Sequence, residues 1–162
     1  MNISFREYEE KDKELLLNFV NRLEEYIKTV DPIKRFINLP GFAEIELEET
    51  FENIKKNKGK ILFVRKGTKE IGYIIGIIWK QSKKNQLEVG RHKLGEVVDI
   101  YLEEGYRNQG IGDKMLKTRE NYFKKEGCNS MWVSVFFPNN NAHNFYKRFG
   151  FVDREIGMLK EI

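Results

Sequence analysis

The apolar positions divide the chain into a helical front and a sheet-forming remainder. A short strand, Ile3 to Tyr8, comes first. Apolar residues then recur at helical spacing between Asp12, which can cap a helix, and Pro32, which ends it. A second, more acidic helix is predicted from Glu44 to about Asn57. These two helices form the front half of the protein.

The sheet is predicted to begin with a β-hairpin. Two apolar runs, Lys60 to Lys66 and Glu70 to Lys80, are separated by Gly67-Thr68-Lys69, a pattern typical of paired strands. The polar stretch from Gln81 to Lys93 has no periodicity, so we expect an exposed loop there. Leu94 to Leu102 is the next predicted strand.

Helices and strands alternate in the remainder. A helix ends before Gly127, Ser130 to Phe137 is an apolar strand, a short helix reaches Arg148, and an extended segment starts at Phe151. The predicted order is β-α-α-β-β-β-α-β-α-β. The unit from Leu94 to Phe137 implies one right-handed parallel crossover. We therefore predict an α/β (α+β) fold, a mixed, mostly antiparallel sheet flanked by helices, in a single domain spanning residues 1–162.

Composition and charge restrict the class of protein. The 162 residues are 40% hydrophobic and 33% charged, which suits one globular domain. The net charge of +4 comes from 29 basic and 25 acidic residues that are interleaved, so nucleic acid is not an expected partner. The small excess of positive charge is consistent with binding of a polyanionic ligand, and equally with a surface of solvated lysines. A lone cysteine, Cys128, and the lack of an apolar run that could span a bilayer favour a cytoplasmic protein without a membrane partner.

The junction between the strand at Val97 and the following helix carries the most informative chemistry. Gly110 and Gly112 leave the backbone free to turn, so that amides at the helix start can point at an anion such as a diphosphate. Asp113-Lys114 follows the second glycine where a P-loop would have Lys-Ser or Lys-Thr, and the three-glycine dinucleotide pattern is absent. Taken alone, the two glycines are more typical of a tight turn than of an anion site.

Two motifs give the chain a specific resemblance. Arg107-x-x-Gly110-x-Gly112 after a strand is similar to the acyl-CoA pyrophosphate motif of the GCN5-related N-acetyltransferase (GNAT) family. The segment Asn139-x-x-Ala142-His143-x-Phe145-Tyr146-x-x-Phe149-Gly150-Phe151 resembles the second signature of that family. The resemblance covers about Val97 to Phe151. It implies transfer of an acetyl group from acetyl-CoA to an amine.

The resemblance also implies roles for particular residues. Amides of residues 109–113 would bind pyrophosphate, and the main chain near Ile100 and Leu102, with Asn139, would contact the pantetheine arm. Tyr146 would protonate the departing thiolate, although it could also merely pack beside its aromatic neighbours. The implied cofactor-binding residues are Ile100, Tyr101, Leu102, Arg107, Asn108, Gln109, Gly110, Ile111, Gly112, Asp113, Asn139 and Tyr146.

A base is needed because an amine acceptor is protonated at neutral pH. Glu96 and Asp99 lie on the candidate strand, where alternation predicts that they face opposite sides of the sheet. Asp99 is the preferred base because it lies closer to the end of the strand; a solvated or paired carboxylate is the alternative. Direct attack then needs only a backbone N–H to stabilise the oxyanion. The two histidines, His92 and His143, do not form a metal-binding pattern, so no metal is expected.

The acceptor is left open by the sequence. It would be a small-molecule or peptide amine contacted by the front helices and by residues 28–43; Trp79 and Trp132 are predicted to be core residues. The acidic residues of the second helix either attract a cation or form a solvated face: Glu44, Glu46, Glu48, Glu49 and Glu52. Alternatives are a non-catalytic acyl-CoA sensor or interaction module, and an acetyltransferase for RNA or a protein terminus.

Two departures from the family pattern stand out. Glu103-Glu104-Gly105 replaces a proline often found before the arginine, and the segment after Phe151 is short. The cofactor loop should tolerate the first change. The second means that the final strand pair is either truncated or completed by a second subunit, which would make the protein a homodimer.

Overall fold

The structure is a computed structural model that describes residues 2–161. Those residues form five strands and five α-helices, with short 3₁₀ turns at Glu10–Asp12 and Glu104–Tyr106. In chain order the elements are β1 (Ile3–Glu7), α1 (Lys13–Val30), α2 (Phe42–Lys56), β2 (Lys60–Lys66), β3 (Lys69–Ile78), α3 (Lys83–Val89), β4 (Leu94–Leu102), α4 (Ile111–Lys125), β5 (Ser130–Val133) and α5 (Asn140–Arg148).

The strands form one sheet in the order β1-β2-β3-β4-β5. The first four strands are antiparallel neighbours, and β5 runs parallel to β4. A parallel pair needs a crossover connection, which α4 supplies. The predicted fold class, a mixed and mostly antiparallel sheet flanked by helices, is confirmed.

Each face of the sheet carries its own hydrophobic core. The core under α1 and α2 includes Leu16, Phe19, Leu47, Phe63 and Tyr73, and the core under α4 and α5 includes Val64, Ile74, Met115, Leu116, Phe123 and Tyr146. Strand β3 contributes to both, which explains its nearly continuous apolar sequence. The sheet is thereby held rigidly between two helical layers.

A buried arginine fixes the position of α4. Arg119 is fully buried and donates from Nη2 to the carbonyl oxygens of Lys60 (3.0 Å) and Ile74 (2.9 Å). Burial lowers the pKa of its guanidinium to about 10. Gly76 makes the close approach possible, because a Cβ there would lie 2.6 Å from Arg119 Cδ. Helix α4 is thus tied to the strand that lies next to β4.

Four local predictions were wrong. Residues 81–93 contain α3: the Ser82 hydroxyl accepts from the Asn85 N–H (3.1 Å), while Leu87 is exposed, so this helix lacks an apolar face. Strand β5 ends at Val133. The segment after Phe151 forms no strand within the part of the chain that the structure describes. Trp79 is 49% exposed, because it lies beyond the end of β3.

The start of α1 also differs in detail. Asp12 precedes the helix as predicted, but its carboxylate does not cap the helix N–H groups in the described structure. Instead it accepts from the Glu9 N–H (2.9 Å) and forms an ion pair with Arg6 (2.6 Å). The aspartate therefore joins α1 to β1.

Candidate functional site

A cleft opens where the two parallel strands separate. β4 and β5 pair from Leu94 with Ser130 to Val97 with Val133. β5 then ends, whereas β4 continues along β3 to Leu102. The outer backbone edge of residues 98–102 therefore has no strand partner among residues 2–161. Such an edge can accept an extended ligand through main-chain hydrogen bonds.

A β-bulge in β4 sets which of its side chains face helices α1 and α2. Ile75 lies opposite Asp99, and the next residue, Gly76, lies opposite Val97. Val98 therefore has no partner on β3 and forms the bulge. A bulge reverses the alternation beyond it. Asp99 and Glu96 therefore share the α1–α2 face of the sheet, and the prediction that they face opposite sides was wrong. Strict alternation assumes an unbroken ladder, which the bulge interrupts.

The two carboxylates have different surroundings on that face. The Tyr73 hydroxyl donates to Asp99 Oδ2 at 3.2 Å. Part of Asp99 still reaches solvent, yet burial of its carboxyl group raises the pKa to about 7, because the charged form loses water. Glu96 accepts a hydrogen bond from the Trp79 indole, and burial raises its pKa as well. Asp99 is thus poised to exchange a proton near neutral pH.

Two glutamates from the front helices add negative charge near Asp99. Glu24 on α1 and Glu46 on α2 are half-buried, and each raises the pKa of Asp99. Burial raises the pKa of both glutamates too. Four of the five acidic residues predicted on α2 are exposed, so that helix face is mainly solvated: Glu44, Glu48, Glu49 and Glu52. Glu46 is the exception.

The turn before α4 presents main-chain amides. Asn108 and Gly110 have positive φ angles of 59° and 72°, and the helix starts at Ile111. Alternating left-handed residues form a concave group of N–H donors that suits an anion. No side chain caps the start of α4 in the described structure, so its first amides remain available to a ligand. The geometry fits the pyrophosphate site that the sequence predicted.

The two glycines of this turn do different things. Gly110 adopts the left-handed conformation, which a residue with a Cβ reaches only at a cost of about 1–2 kcal/mol. Gly112 lies inside the helix, where an added Cβ would come within 3.1 Å of the Phe145 ring. Both glycines were predicted to free the backbone for binding an anion. The structure gives Gly112 a packing role between α4 and α5.

Arg107 is folded back onto the protein. Its Nε–H donates to the Leu102 carbonyl at 2.9 Å, and its guanidinium lies 5.0 Å from the centre of the Tyr26 ring and 6.0 Å from that of Tyr101. Tyr101 itself is buried in the α1–α2 core. The Tyr101 side chain is therefore not accessible to a cofactor. Only the main chain of Tyr101 lies on the edge of the cleft.

Asn139 and Tyr146 lie on the other side of the cleft. Asn139 caps α5 by accepting from the Ala142 N–H (3.2 Å). Tyr146 is 5% exposed and packs against Phe145 and Phe151, with ring centres 5.2 and 5.5 Å away. Burial, and then the charge of Asp99, raise the pKa of its hydroxyl above the ordinary value. Tyr146 is both a packing residue and a phenol that stays protonated.

Sequence reasoning missed the contributions of α1. Tyr26 donates to Asn139 Oδ1 at 3.2 Å although the two residues are 113 positions apart. The charge of Glu24, on the same helix, raises the pKa of Asp99. A pattern of neighbouring residues contains no signal for such distant contacts. Only the fold shows that α1 borders the cleft.

Other potential sites are weaker. His143 lies on the surface of α5 and pairs with Asp153 (2.6 Å), away from the carboxylates of β4. Within residues 2–161, no cluster of three or more histidine, cysteine or acidic residues could hold a metal ion. No helix in that range combines the length and apolar character needed to cross a bilayer.

The chain is similar to known acetyltransferases. A profile of the acetyltransferase (GNAT) family matches residues 23–151. The thialysine N-epsilon-acetyltransferase of Bos taurus is 28% identical over 155 residues, which span 93% of this chain and 85% of that protein. The chain spans only 30% and 48% of the length of two uncharacterized N-acetyltransferases of Methanocaldococcus jannaschii.

Solved structures share the fold at low sequence identity. A tetramutant protein from Bacillus halodurans superposes with a TM-score of 0.82 at 16% identity, covering 98% of this chain and 99% of the other. A predicted acetyltransferase from Clostridium acetobutylicum, solved with acetyl-CoA, has a TM-score of 0.70 at 19% identity, covering 99% and 96%. With the profile match across most of its length, the chain belongs to the GNAT family of acetyltransferases.

Proposed function

We propose that the protein transfers an acetyl group from acetyl-CoA to a primary amine of a small molecule or peptide by direct attack. The observation that carries this proposal is the setting of Asp99. Its carboxyl group has a pKa of about 7, faces the α1–α2 side and lies near enough to Tyr146 to raise the pKa of that phenol. A proton acceptor and a proton donor thus border one cleft.

The residues around the cleft fit acetyl-CoA, which would supply the activated thioester. The uncapped amides at the start of α4 suit its pyrophosphate, and the open edge of residues 98–102 suits its pantetheine arm. The Clostridium acetobutylicum neighbour, solved with acetyl-CoA, supports this assignment. A main-chain N–H near Ile100 or Leu102 would stabilise the oxyanion.

Asp99 is the proposed base. A primary ammonium ion with a pKa near ~10.4 must lose a proton before it can attack. A carboxylate with a pKa of about 7 accepts that proton far better than an ordinary aspartate would. Tyr73 holds Oδ2 by its hydrogen bond, so the carboxylate has a fixed orientation.

Tyr146 is the proposed acid. Its O–H would donate to the sulfur as negative charge develops there and the thioester C–S bond breaks. Burial keeps the phenol protonated across the neutral range. Packing against Phe145 and Phe151 holds the ring in place, so its structural and chemical roles are compatible.

The acceptor side favours a cationic amine. Glu24 and Glu46 lie on different helices, and their charges act together with that of Asp99. Negative charge at the edge of the site stabilises an approaching ammonium group. The thialysine N-epsilon-acetyltransferase, whose name indicates an amine substrate, supports the same class of acceptor.

A panel of amines tests the proposal, with release of free CoA as the signal. Wild type should turn over at least one cationic amine, and Tyr146→Phe should lower kcat by about 10²-fold while acetyl-CoA affinity changes little. Tight acetyl-CoA binding without turnover across the panel would instead favour the acyl-CoA sensor. Absence of acetyl-CoA binding would reject both functions.

A further inference from the structure

Tyr26 contacts both sides of the cofactor cleft. Its hydroxyl lies 3.2 Å from Asn139 Oδ1, and its ring centre lies 5.0 Å from Cζ of Arg107. Arg107 follows β4, whereas Asn139 follows the segment that continues from β5. The tyrosine comes from α1, which belongs to the acceptor side. It therefore joins three elements that are distant in sequence.

The hydrogen bonds of Asn139 fix the orientation of its amide. Oδ1 accepts from the Ala142 N–H (3.2 Å) and from the Tyr26 hydroxyl (3.2 Å), which uses both of its lone pairs. Nδ2 keeps two N–H donors, and it has no acceptor among residues 2–161. Although Asn139 as a whole is only 7% exposed, its Nδ2 reaches solvent, so these donors are open to a ligand. A ligand in the cleft is the natural acceptor.

We propose that Tyr26 is a positioning residue for the cofactor. It holds Oδ1 of Asn139 so that Nδ2 donates to an amide carbonyl of the pantetheine arm, and its ring holds Arg107 against β4. This inference rests on the proposed function, because it requires acyl-CoA in the cleft. Tyr26 acts through Asn139 and Arg107 and does not touch the reacting atoms.

The side chain of Tyr26 combines two separable contacts. A phenylalanine would keep the ring beside the Arg107 guanidinium but remove the hydroxyl. A leucine would remove both. Glu24 lies on the same helix, so anchoring α1 at Tyr26 also fixes an acceptor-side carboxylate relative to the cofactor. Tyr26 thereby links the placement of cofactor and acceptor.

A double-mutant cycle on acetyl-CoA affinity tests the proposal, with calorimetry on the full chain. Tyr26→Phe should weaken binding about three- to tenfold, the loss typical of one hydrogen bond. Asn139→Asp keeps the acceptor oxygens that cap α5 but loses both N–H donors, and should weaken binding by about tenfold. Because Tyr26 acts through that amide, the double variant should bind as weakly as Asn139→Asp alone.

Controls separate the outcomes. Tyr122→Phe removes another tyrosine hydroxyl, which donates to the Lys58 carbonyl (2.9 Å), and should leave affinity unchanged. Tyr26→Leu should bind more weakly than Tyr26→Phe, with thermal unfolding confirming that each variant is folded. If Tyr26→Phe binds like wild type, or if the two losses add fully, the positioning role is wrong although the function stands. If wild type does not bind acetyl-CoA, the function itself fails.

Discussion

The proposed cofactor side and the proposed acceptor side of the cleft are built by different means. The cofactor side uses main-chain groups: the amides at the start of α4 and the open edge of β4. The acceptor side uses side chains that α1 and α2 bring to Asp99. Main-chain sites depend on turns and glycines that lie close together in the sequence. Side-chain sites depend on tertiary packing, so the acceptor side has no comparable local signature.

The largest effect is expected where the two sides meet, at Asp99. Asp99→Asn removes the proposed base but keeps the shape of the side chain and a group that can bond Tyr73. We predict a fall in kcat/KM of about 10²–10⁴-fold, the usual contribution of a general base. Acetyl-CoA affinity should change little. Steady-state kinetics with the best amine, together with calorimetry, would measure both quantities.

The pH profile identifies the group responsible. Asp99 acts as a base only when deprotonated, so wild-type kcat/KM should fall as pH drops below about 7. Glu96→Gln changes a carboxylate on the same face and should keep this acidic limb. If Asp99→Asn also keeps it, another group is the base and the assignment is wrong.

The same carboxyl group should make stability depend on pH. Its pKa is about 7 when folded but near ~3.9 when unfolded, so the folded chain binds the proton more tightly. The resulting stabilisation is complete below the unfolded pKa and is lost as pH rises through about 7. Asp99→Asn has no such proton, so its stability does not fall in this way. From about pH 5 to about pH 8, the unfolding free energy of the variant should therefore rise by about 1–3 kcal/mol relative to that of wild type. Urea unfolding at both pH values measures this gain; an unchanged difference would contradict the buried carboxyl.

A change on the cofactor side should disturb packing and binding together. Gly112→Val places a branched side chain against the Phe145 ring, which an added Cβ already approaches to 3.1 Å. We predict a loss of about 1–3 kcal/mol in unfolding free energy, as for other overpacked sites, together with weaker acetyl-CoA binding. Gly105→Val is the matched control, because a Cβ there meets nothing within 4 Å. Equal effects of the two changes would contradict the packing role.

The same contrast explains what the sequence could predict. The turn at Gly110 and the buried strands depend on local residue types, and the structure contains both of them. The bulge in β4 could not be predicted, because it depends on how the strand pairs with β3. Helix α3 was missed because its side chains are not buried, which removes the apolar periodicity. Tyr26 was missed because its contacts join distant segments.

The smallest effect is expected from the acceptor-side glutamates. Glu24→Gln and Glu46→Gln should each raise KM for a cationic amine about two- to fivefold, the range typical of a partly solvated charge pair. Acetyl-CoA affinity should not change. Glu48→Gln, on the exposed face of α2, is the matched control and should leave KM unaltered. If all three variants behave alike, the two half-buried glutamates do not select the acceptor.

The central claim, that acetyl-CoA binds by its pyrophosphate at the start of α4, can be tested by following backbone amide resonances during a titration. The largest NMR shift changes should occur at residues 109–113 and along the open edge at 98–102, because the ligand's acceptors replace water at those N–H groups. Saturable changes confined to other regions, or none at all, would contradict the account.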